Sequence, residues 1–287
     1  MNTSTPLNGK AIQKKYGASY YLATLLFPRD VKEATFSLYG FVRIADELVD
    51  AEPDPVIAKR NIDTSMQEWK QAVLAGSAQN EIVANMLQTV KKYKIPLSLI
   101  DDFYTSMSMD THIASYAEYA DLEKYMYGSA AVIGEMMSHI IGYHGDALPY
   151  ARRLGEAMQM VNFIRDIDED LQTRNRIYMP ESDMRRFGAT KDMLAQNTMN
   201  DAVQNLIHFE CVRTANLFTE AKPGIALLSP YGQKAVIAAT LIYQKTLRNI
   251  VRANGNLRAR TKPYKITKIL ILLFVLIAPK KVLFAIL

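Results

Sequence analysis

The sequence predicts an all-α fold built as one domain. Apolar residues recur at helical spacing along most of the 287 residues. No convincing run of alternating apolar and polar residues marks a strand. No Pro/Ser-rich linker, low-complexity stretch or internal repeat divides the chain, so one helical domain is the economical reading. Half of the chain is apolar, at 49%, which is enough for a sizeable core.

The elements follow in order. Pro28-Arg29-Asp30 reads as a helix start, with Leu38, Phe41 and Val42 on its apolar face, and Pro53 and Pro55 as its close. Ile62 to Leu74 and Ile82 to Tyr93 are two further helices, separated by Gly76-Ser77. Pro96 opens a helix from Leu97 to about Met109. Leu122 to Tyr143 reads as one long apolar helix with small residues at Gly128, Ala130, Ala131 and Gly134. Tyr150 to Leu171 follows Pro149, and Asp201 to Glu220 and Gln233 to Ala253 complete the set.

Charge is distributed unevenly. The net charge is +5, yet from Ala221 onward there are 12 Lys and Arg and no Asp or Glu. No zinc spacing, RNP motif or Gly-rich basic loop accompanies this, so nucleic acid is not an expected partner. The last residues are apolar as well as basic. Ile269 to Ala278 is a run of ten apolar residues, and Val282 to Leu287 resumes it after Pro279-Lys280-Lys281. Ten residues are too few to span a bilayer, which takes about 20. Residues 266–287 are therefore expected to form a tail appended to a domain of residues 1–265. It either lies at an anionic membrane surface or docks on the core. A single cysteine, Cys211, fits a reducing compartment. The N-terminal residues lack the apolar run of a secretory signal, so a cytoplasmic protein peripherally associated with the membrane is expected.

Two acidic clusters carry the chemistry: Asp46-Glu47-Leu48-Val49-Asp50 and Asp166-Ile167-Asp168-Glu169-Asp170. Each lies within an otherwise apolar helical stretch, where carboxylates are rare without partners. On helical geometry, Tyr39, Arg43, Asp46 and Asp50 fall within about 60° of one another. Gln159, Asn162, Asp166 and Asp170 form a second polar stripe, bordered by Met160, Ile164, Ile167 and Leu171. A polar stripe beside a core face, rather than opposite it, fits the lining of a cavity. Asp168 projects nearly opposite Asp166 and is expected to be solvated and no ligand. Either cluster alone reads as a solvated helix face. Together, with Arg43 and Arg165 nearby, they point to a hard cation and a diphosphate. A di-iron bundle requires Glu-x-x-His pairs, and none of His112, His139, His144 and His208 has Glu three residues before it.

These residues resemble the squalene/phytoene synthase family, whose members join two prenyl diphosphates head to head. The resemblance runs from about Lys14 to Ala253. It rests on the first aspartate motif at Asp46–Asp50, on the small-residue signature from Tyr125 to Gly134, and on the long signature from Leu154 to Asp166. The last continues to Asp170 and through Arg176-Ile177-Tyr178-Met179-Pro180. The resemblance implies an isoprenoid-synthase-type helical bundle around a central cavity. It implies Asp46, Asp50, Asn162, Asp166 and Asp170 as ligands of Mg²⁺, with Mn²⁺ as a substitute. Tyr39, Arg43, Gln159 and Arg165 would hold diphosphate, with Tyr243 close by. Ser19 and Tyr20 match an early Ser-x-Ser-Phe element, of which only Ser19 carries over cleanly. The chain departs from the family pattern at Glu47, where a second Asp is common, and at Ala131 and Asp168, where Gly is common.

The implied reaction ionises one prenyl diphosphate, forms a cyclopropylcarbinyl diphosphate with the second, and rearranges it to the joined product. Thr24, one turn after Tyr20, replaces a bulkier residue and leaves depth. That favours C20 geranylgeranyl diphosphate and phytoene, the first step of carotenoid synthesis, with no NADPH required. The alternatives are a C15-using dehydrosqualene or squalene synthase, and a non-catalytic membrane assembly factor of the same family.

Overall fold

The computed structural model describes residues 8–287. Among these residues there are helices and no strand; the one β-type feature is an isolated antiparallel bridge between Tyr143 and Leu228. Two short helices, α1 (Gly9–Tyr16) and α2 (Ala18–Thr24), precede the long α3 (Arg29–Asp50). Then come α4 (Pro55–Ala75), α5 (Glu81–Tyr93), α6 (Leu97–Met109), α7 (Tyr119–Met126) and α8 (Val132–Ile141). The second half holds α9 (Leu148–Arg165), α10 (Ile167–Arg174), α11 (Glu181–Phe187), α12 (Lys191–Ala195), α13 (Asp201–Ala226) and α14 (Pro230–Ala253). The chain ends with α15 (Lys265–Ile277) and α16 (Lys280–Ile286).

Local chemistry explains where these helices begin and end, and where the sequence misleads. Pro53 and Pro55 do not jointly close α3; Pro55 opens α4. Asp54 caps it, its Oδ1 accepting from the amides of Val56 at 2.8 Å and Ile57 at 3.3 Å. Proline at the first helical position loses nothing, because that amide has no intrahelical acceptor. Gly76 ends α4 in the left-handed region at φ 72°.

The expected helix from Leu122 to Tyr143 is interrupted. Tyr127–Ala131 forms a turn of π-helix between α7 and α8. The expected helix from Tyr150 to Leu171 is also broken, at Asp166, whose φ of −102° and ψ of 12° separate α9 from α10. Both interruptions fall in the signature segments. Such irregularities spend regular hydrogen bonding to re-aim side chains, and they concentrate at functional sites.

Two buried clusters flank a central cavity. One gathers α1, α3 to α6 and α8 around Phe41, Trp69, Phe103 and Tyr104. Phe41 meets Trp69 and Tyr104 edge-on, with ring centroids 5.1 and 5.9 Å apart. The other gathers α7 and α9 to α16 around Met160, Leu206 and Ala238. The segment after residue 265 is built into this second cluster through Val275, Ala278 and Leu283. It is not a detached tail.

The small-residue stretch serves both packing and space. A Cβ on Gly134 would lie 2.2 Å from the Ala151 carbonyl oxygen, and one on Gly155 would lie 2.4 Å from that of Ala130. α9 therefore touches the π-turn and α8 backbone to backbone. A Cβ on Gly128 would collide with Ser106 of α6. Ser129, Ala130 and Ile133 of the same stretch line the cavity.

Candidate active site

The cavity has a volume of about 530 Å³, within the range of small-molecule sites. One end is ionic. α3 contributes Tyr39, Arg43, Asp46 and Asp50; α9 contributes Gln159, Asn162 and Arg165; Asp166, Asp170 and Arg174 follow from the break and α10. The rest is mostly apolar, lined by residues such as Leu38, Met107, Met137, Ile141, Leu228 and Val236. An elongated ligand with one anionic head and an apolar body matches this polarity.

The two acidic stripes face each other across the ionic end. Arg174 links them: its Nη2 lies 3.2 Å from Asp50 and its Nη1 donates to Asp170 at 2.8 Å. Asp46, Glu47 and Asp166 have cationic partners of their own. Arg43 pairs with Asp46 and Glu47. Arg165 pairs with Asp166, donating from Nε at 2.7 Å. Lys262, from the loop after α14, reaches within 3.9 Å of Asp166.

Asp50 is held from behind as well. Arg176 lies 3.4 Å from it and, on its other side, 3.3 Å from Asp110. Asp110 accepts from the Tyr125 hydroxyl at 2.6 Å and from that of Tyr178 at 3.3 Å. Tyr178 stacks on Phe163, with centroids 4.0 Å apart. A buried charge is tolerable only with such partners.

Anionic charge is nonetheless crowded here. Burial pushes the Asp46 carboxyl up to about 7, aided by the charge of Asp50 and opposed by Arg43. Asp170 is pushed up to about 7 by burial, with Arg174 opposing and Asp166 and Asp50 adding. Asp110 rises to about 6, again through burial. The site thus favours additional positive charge.

The donor set suits a hard cation shared with a ligand. Among the described residues, no three His, Cys, Asp or Glu side chains converge into a self-sufficient metal cage. Mg²⁺ does not need one, since it is commonly bound by one or two carboxylates together with water and substrate phosphate. Asn162 presents a buried Oδ1 with no hydrogen-bond partner beside these acids, while its Nδ2 donates to Gln159 at 3.2 Å. A free carboxamide oxygen aligned with carboxylates is the kind of donor Mg²⁺ accepts.

The other expected residues are distributed as follows. Tyr20 lines the cavity and its hydroxyl lies 3.8 Å from the Met158 sulfur. Tyr243 is buried behind Tyr20, with ring centroids 5.3 Å apart, and does not itself line the cavity. Burial raises its phenol, while neighbouring Arg165 favours the phenolate. Ser19 is not on the cavity wall; Gln13 and Tyr16 of α1 are. Gly17, two residues before Ser19, has a clear role: a Cβ there would fall 2.5 Å from the Tyr39 hydroxyl oxygen. Asp168 lies off the cavity, as expected, and is only partly solvated. Its side chain is 25% exposed and accepts from Arg258 Nε at 3.0 Å.

Sequence reasoning assigned no role to Arg174, Arg176, Asp110 or Lys262. For Arg174 a signal existed, because it stands one turn after Asp170 on the same helix face. Asp110 and Lys262 carry no such local sign; they reach the site only through the tertiary fold.

Comparison with known proteins agrees with this architecture. The profile of the squalene/phytoene synthase family matches residues 13–268. The 15-cis-phytoene synthases of Synechocystis sp. and Synechococcus elongatus are each 27% identical to the chain. They align over 86% and 85% of it, and over 76% and 83% of their own lengths. A dehydrosqualene synthase crystallised with a ligand superposes with a TM-score of 0.86 at 24% identity, covering 93% of both chains. A squalene synthase from Alicyclobacillus acidocaldarius superposes with a TM-score of 0.78 at 25% identity, over 86% of this chain and 93% of that one. With its helical bundle and its profile match across most of the sequence, the chain belongs to the squalene/phytoene synthase family.

Proposed function

We propose that this protein condenses two molecules of geranylgeranyl diphosphate head to head into phytoene, in a Mg²⁺-dependent reaction. One observation carries the reading: two facing carboxylate walls and their guanidinium groups close one end of a cavity that is otherwise mostly apolar. The sequence relatives named as phytoene synthases support the C20 substrate. So does Thr24, which is buried in the cavity wall where a larger side chain would fill space.

Asp46 and Asp50 from one wall, and Asn162, Asp166 and Asp170 from the other, would hold Mg²⁺, or Mn²⁺ in its place. The bound ion supplies charge neutralisation that makes diphosphate a better leaving group. The chain's own residues do the remaining work. Arg43, Arg165, Arg174 and Lys262 surround the ionic end and orient phosphate oxygens, with guanidinium forks suited to paired contacts. Tyr39 and Gln159 add hydrogen-bonding groups on either wall. Loss of one diphosphate leaves an allylic cation, which the double bond of the second substrate attacks. The aromatic side chains of Tyr20 and Phe163 and the apolar walls keep water from that cation. Loss of a proton closes the cyclopropylcarbinyl diphosphate, which then loses its own diphosphate, rearranges and gives up a second proton to yield phytoene. Phytoene formation consumes no hydride, so NADPH is not required. The product is an apolar hydrocarbon, which suits an enzyme working at the surface of a membrane.

Incubation with radiolabelled C15 and C20 substrates separately, with and without Mg²⁺, tests this. Phytoene from the C20 substrate in the presence of Mg²⁺ is the expected result. Dehydrosqualene from the C15 substrate alone, or squalene once NADPH is added, assigns the shorter chain. No turnover of either at saturating Mg²⁺ assigns a non-catalytic member of the family.

A further inference from the structure

We propose that the outward face of α15 and α16 docks on an anionic lipid bilayer, laying the protein on the membrane by one defined side. The inward face of this segment is already occupied. Leu272, Val275, Ala278 and Leu283 are buried. α15 rests on α14 and α2, and Lys234 Nζ donates to the Leu276 carbonyl at 2.6 Å. The fold therefore accounts for one side of an apolar helix and leaves the other unexplained.

That other side is ordered by helical period. Ile266, Leu270, Leu273, Phe274 and Ile277 stand at i, i+4, i+7, i+8 and i+11, which is one face. Their exposures are 62, 57, 52, 38 and 82%. Val282 and Ile286 of α16 are exposed at 43 and 44%. Single exposed apolar residues are ordinary, but a continuous stripe of them marks an interaction surface.

Charge selects the occupant. Lys265 at the start of α15 and Lys280 and Lys281 at the start of α16 are exposed. No Asp or Glu follows Glu220. A cationic rim around an apolar stripe complements anionic headgroups above acyl chains. A second copy fits poorly, because a twofold contact would bring the same lysines together with no acid in the segment to offset them. Among the described residues, no helix is long and apolar enough to cross a membrane, so the segment lies on the bilayer.

The placement bears on product release, a point that rests on the proposed activity. α15 packs on α2, and α2 carries Tyr20, Ala23 and Thr24 of the cavity wall. Docking by this face leaves two helices, α15 and α2, between lipid and the cavity.

Cosedimentation of the full chain with vesicles tests the docking independently of turnover. The vesicles are equal parts phosphatidylglycerol and phosphatidylcholine, or phosphatidylcholine alone. The wild type should bind the anionic vesicles at least about tenfold better than the neutral ones, and less as salt rises. The triple variant Leu270→Gln, Leu273→Gln, Ile277→Gln should lose about tenfold or more of that binding, with its melting temperature retained. Lys280→Glu with Lys281→Glu should weaken anionic binding alone. Wild type that ignores both vesicles, or a triple variant that binds like wild type, overturns the proposal. A lipid-free dimer in light scattering that the triple variant abolishes also overturns it, by assigning the face to a second copy.

Discussion

Asp50 and Asp170, from opposite walls of the cavity, share the guanidinium of Arg174 at 3.2 and 2.8 Å. The relationship shows that the two acidic segments work on one space. It also sets the first expectation. Asp50→Ala and Asp166→Ala should each reduce turnover by about 10²–10³-fold or more, with circular dichroism unchanged, because each removes charge from the ionic end. Asp168→Ala should remain within a few-fold of wild type, since its partner is Arg258 outside the cavity. Equal losses in all three variants, measured at saturating Mg²⁺, would contradict the assignment.

The pH dependence of stability has a defined sign. The Asp170 carboxyl is raised from its ordinary value to about 7, chiefly by burial. The folded protein therefore holds a proton there that the unfolded chain has released, between about pH 4 and 7. This group's contribution is full below about pH 4 and is lost as pH rises through about 7. Asp170→Asn mimics the protonated form. In the metal-free protein it should raise the melting temperature relative to wild type at pH 8, with a smaller gain at pH 5.5. Differential scanning fluorimetry at both pH values reads the difference, and a gain confined to the acid side would refute it.

Backbone contact between α9 and the π-turn leaves no room at Gly155, where a Cβ would meet the Ala130 carbonyl at 2.4 Å. Gly155→Ala should destabilise by about 1–3 kcal/mol, the usual cost of overpacking. Chemical denaturation should show a lower midpoint with an unchanged slope. An unaffected midpoint would mean that the helices separate at little cost.

Gly17→Ala tests a smaller region. The added methyl would press on the Tyr39 hydroxyl at 2.5 Å and push that ring from the ionic end. A KM raised about tenfold for the diphosphate substrate, with the fold retained, is expected. Unchanged kinetics would show that Tyr39 has no role in holding substrate.

Thr24 addresses chain length. It is 2% exposed and lines the cavity. Thr24→Phe should lower kcat/KM for the C20 substrate by about tenfold or more while sparing the C15 substrate, because the longer chain needs the depth. Competition between the two substrates in one reaction measures the ratio directly.

Much of this was legible in the sequence, and the failures have physical reasons. Helical period placed α6 at its observed bounds, Leu97–Met109, because an apolar stripe and Pro96 agree there. Period could not show the π-turn at Tyr127–Ala131, since one inserted turn hardly alters an apolar pattern. Nor could it show the break at Asp166, where the residue that departs from helix is itself a site residue. The short α11 and α12 bury too few residues to leave a pattern. The two acidic stripes were readable because their spacing is local. Asp110 and Lys262 were not, because only the tertiary fold brings them in. The final segment was read as either core or membrane-facing. A helix apolar all round offers one face to the bundle and leaves another outside it, so the two readings were never exclusive.

The glycine joint beneath α9 has a consequence for how such a protein can change. The helix that mounts Gln159, Asn162 and Arg165 is seated on peptide groups, with no deformable side chain in between. The apolar part of the cavity wall includes Met107, Met137 and Ile133, flexible or exchangeable groups that can be traded for one another at small cost. Under the proposed activity, reactive geometry would rest on this stiff backbone joint and substrate length on exchangeable side chains. Exchange of those side chains would then change the chain length accepted while leaving the mounting of Gln159, Asn162 and Arg165 untouched.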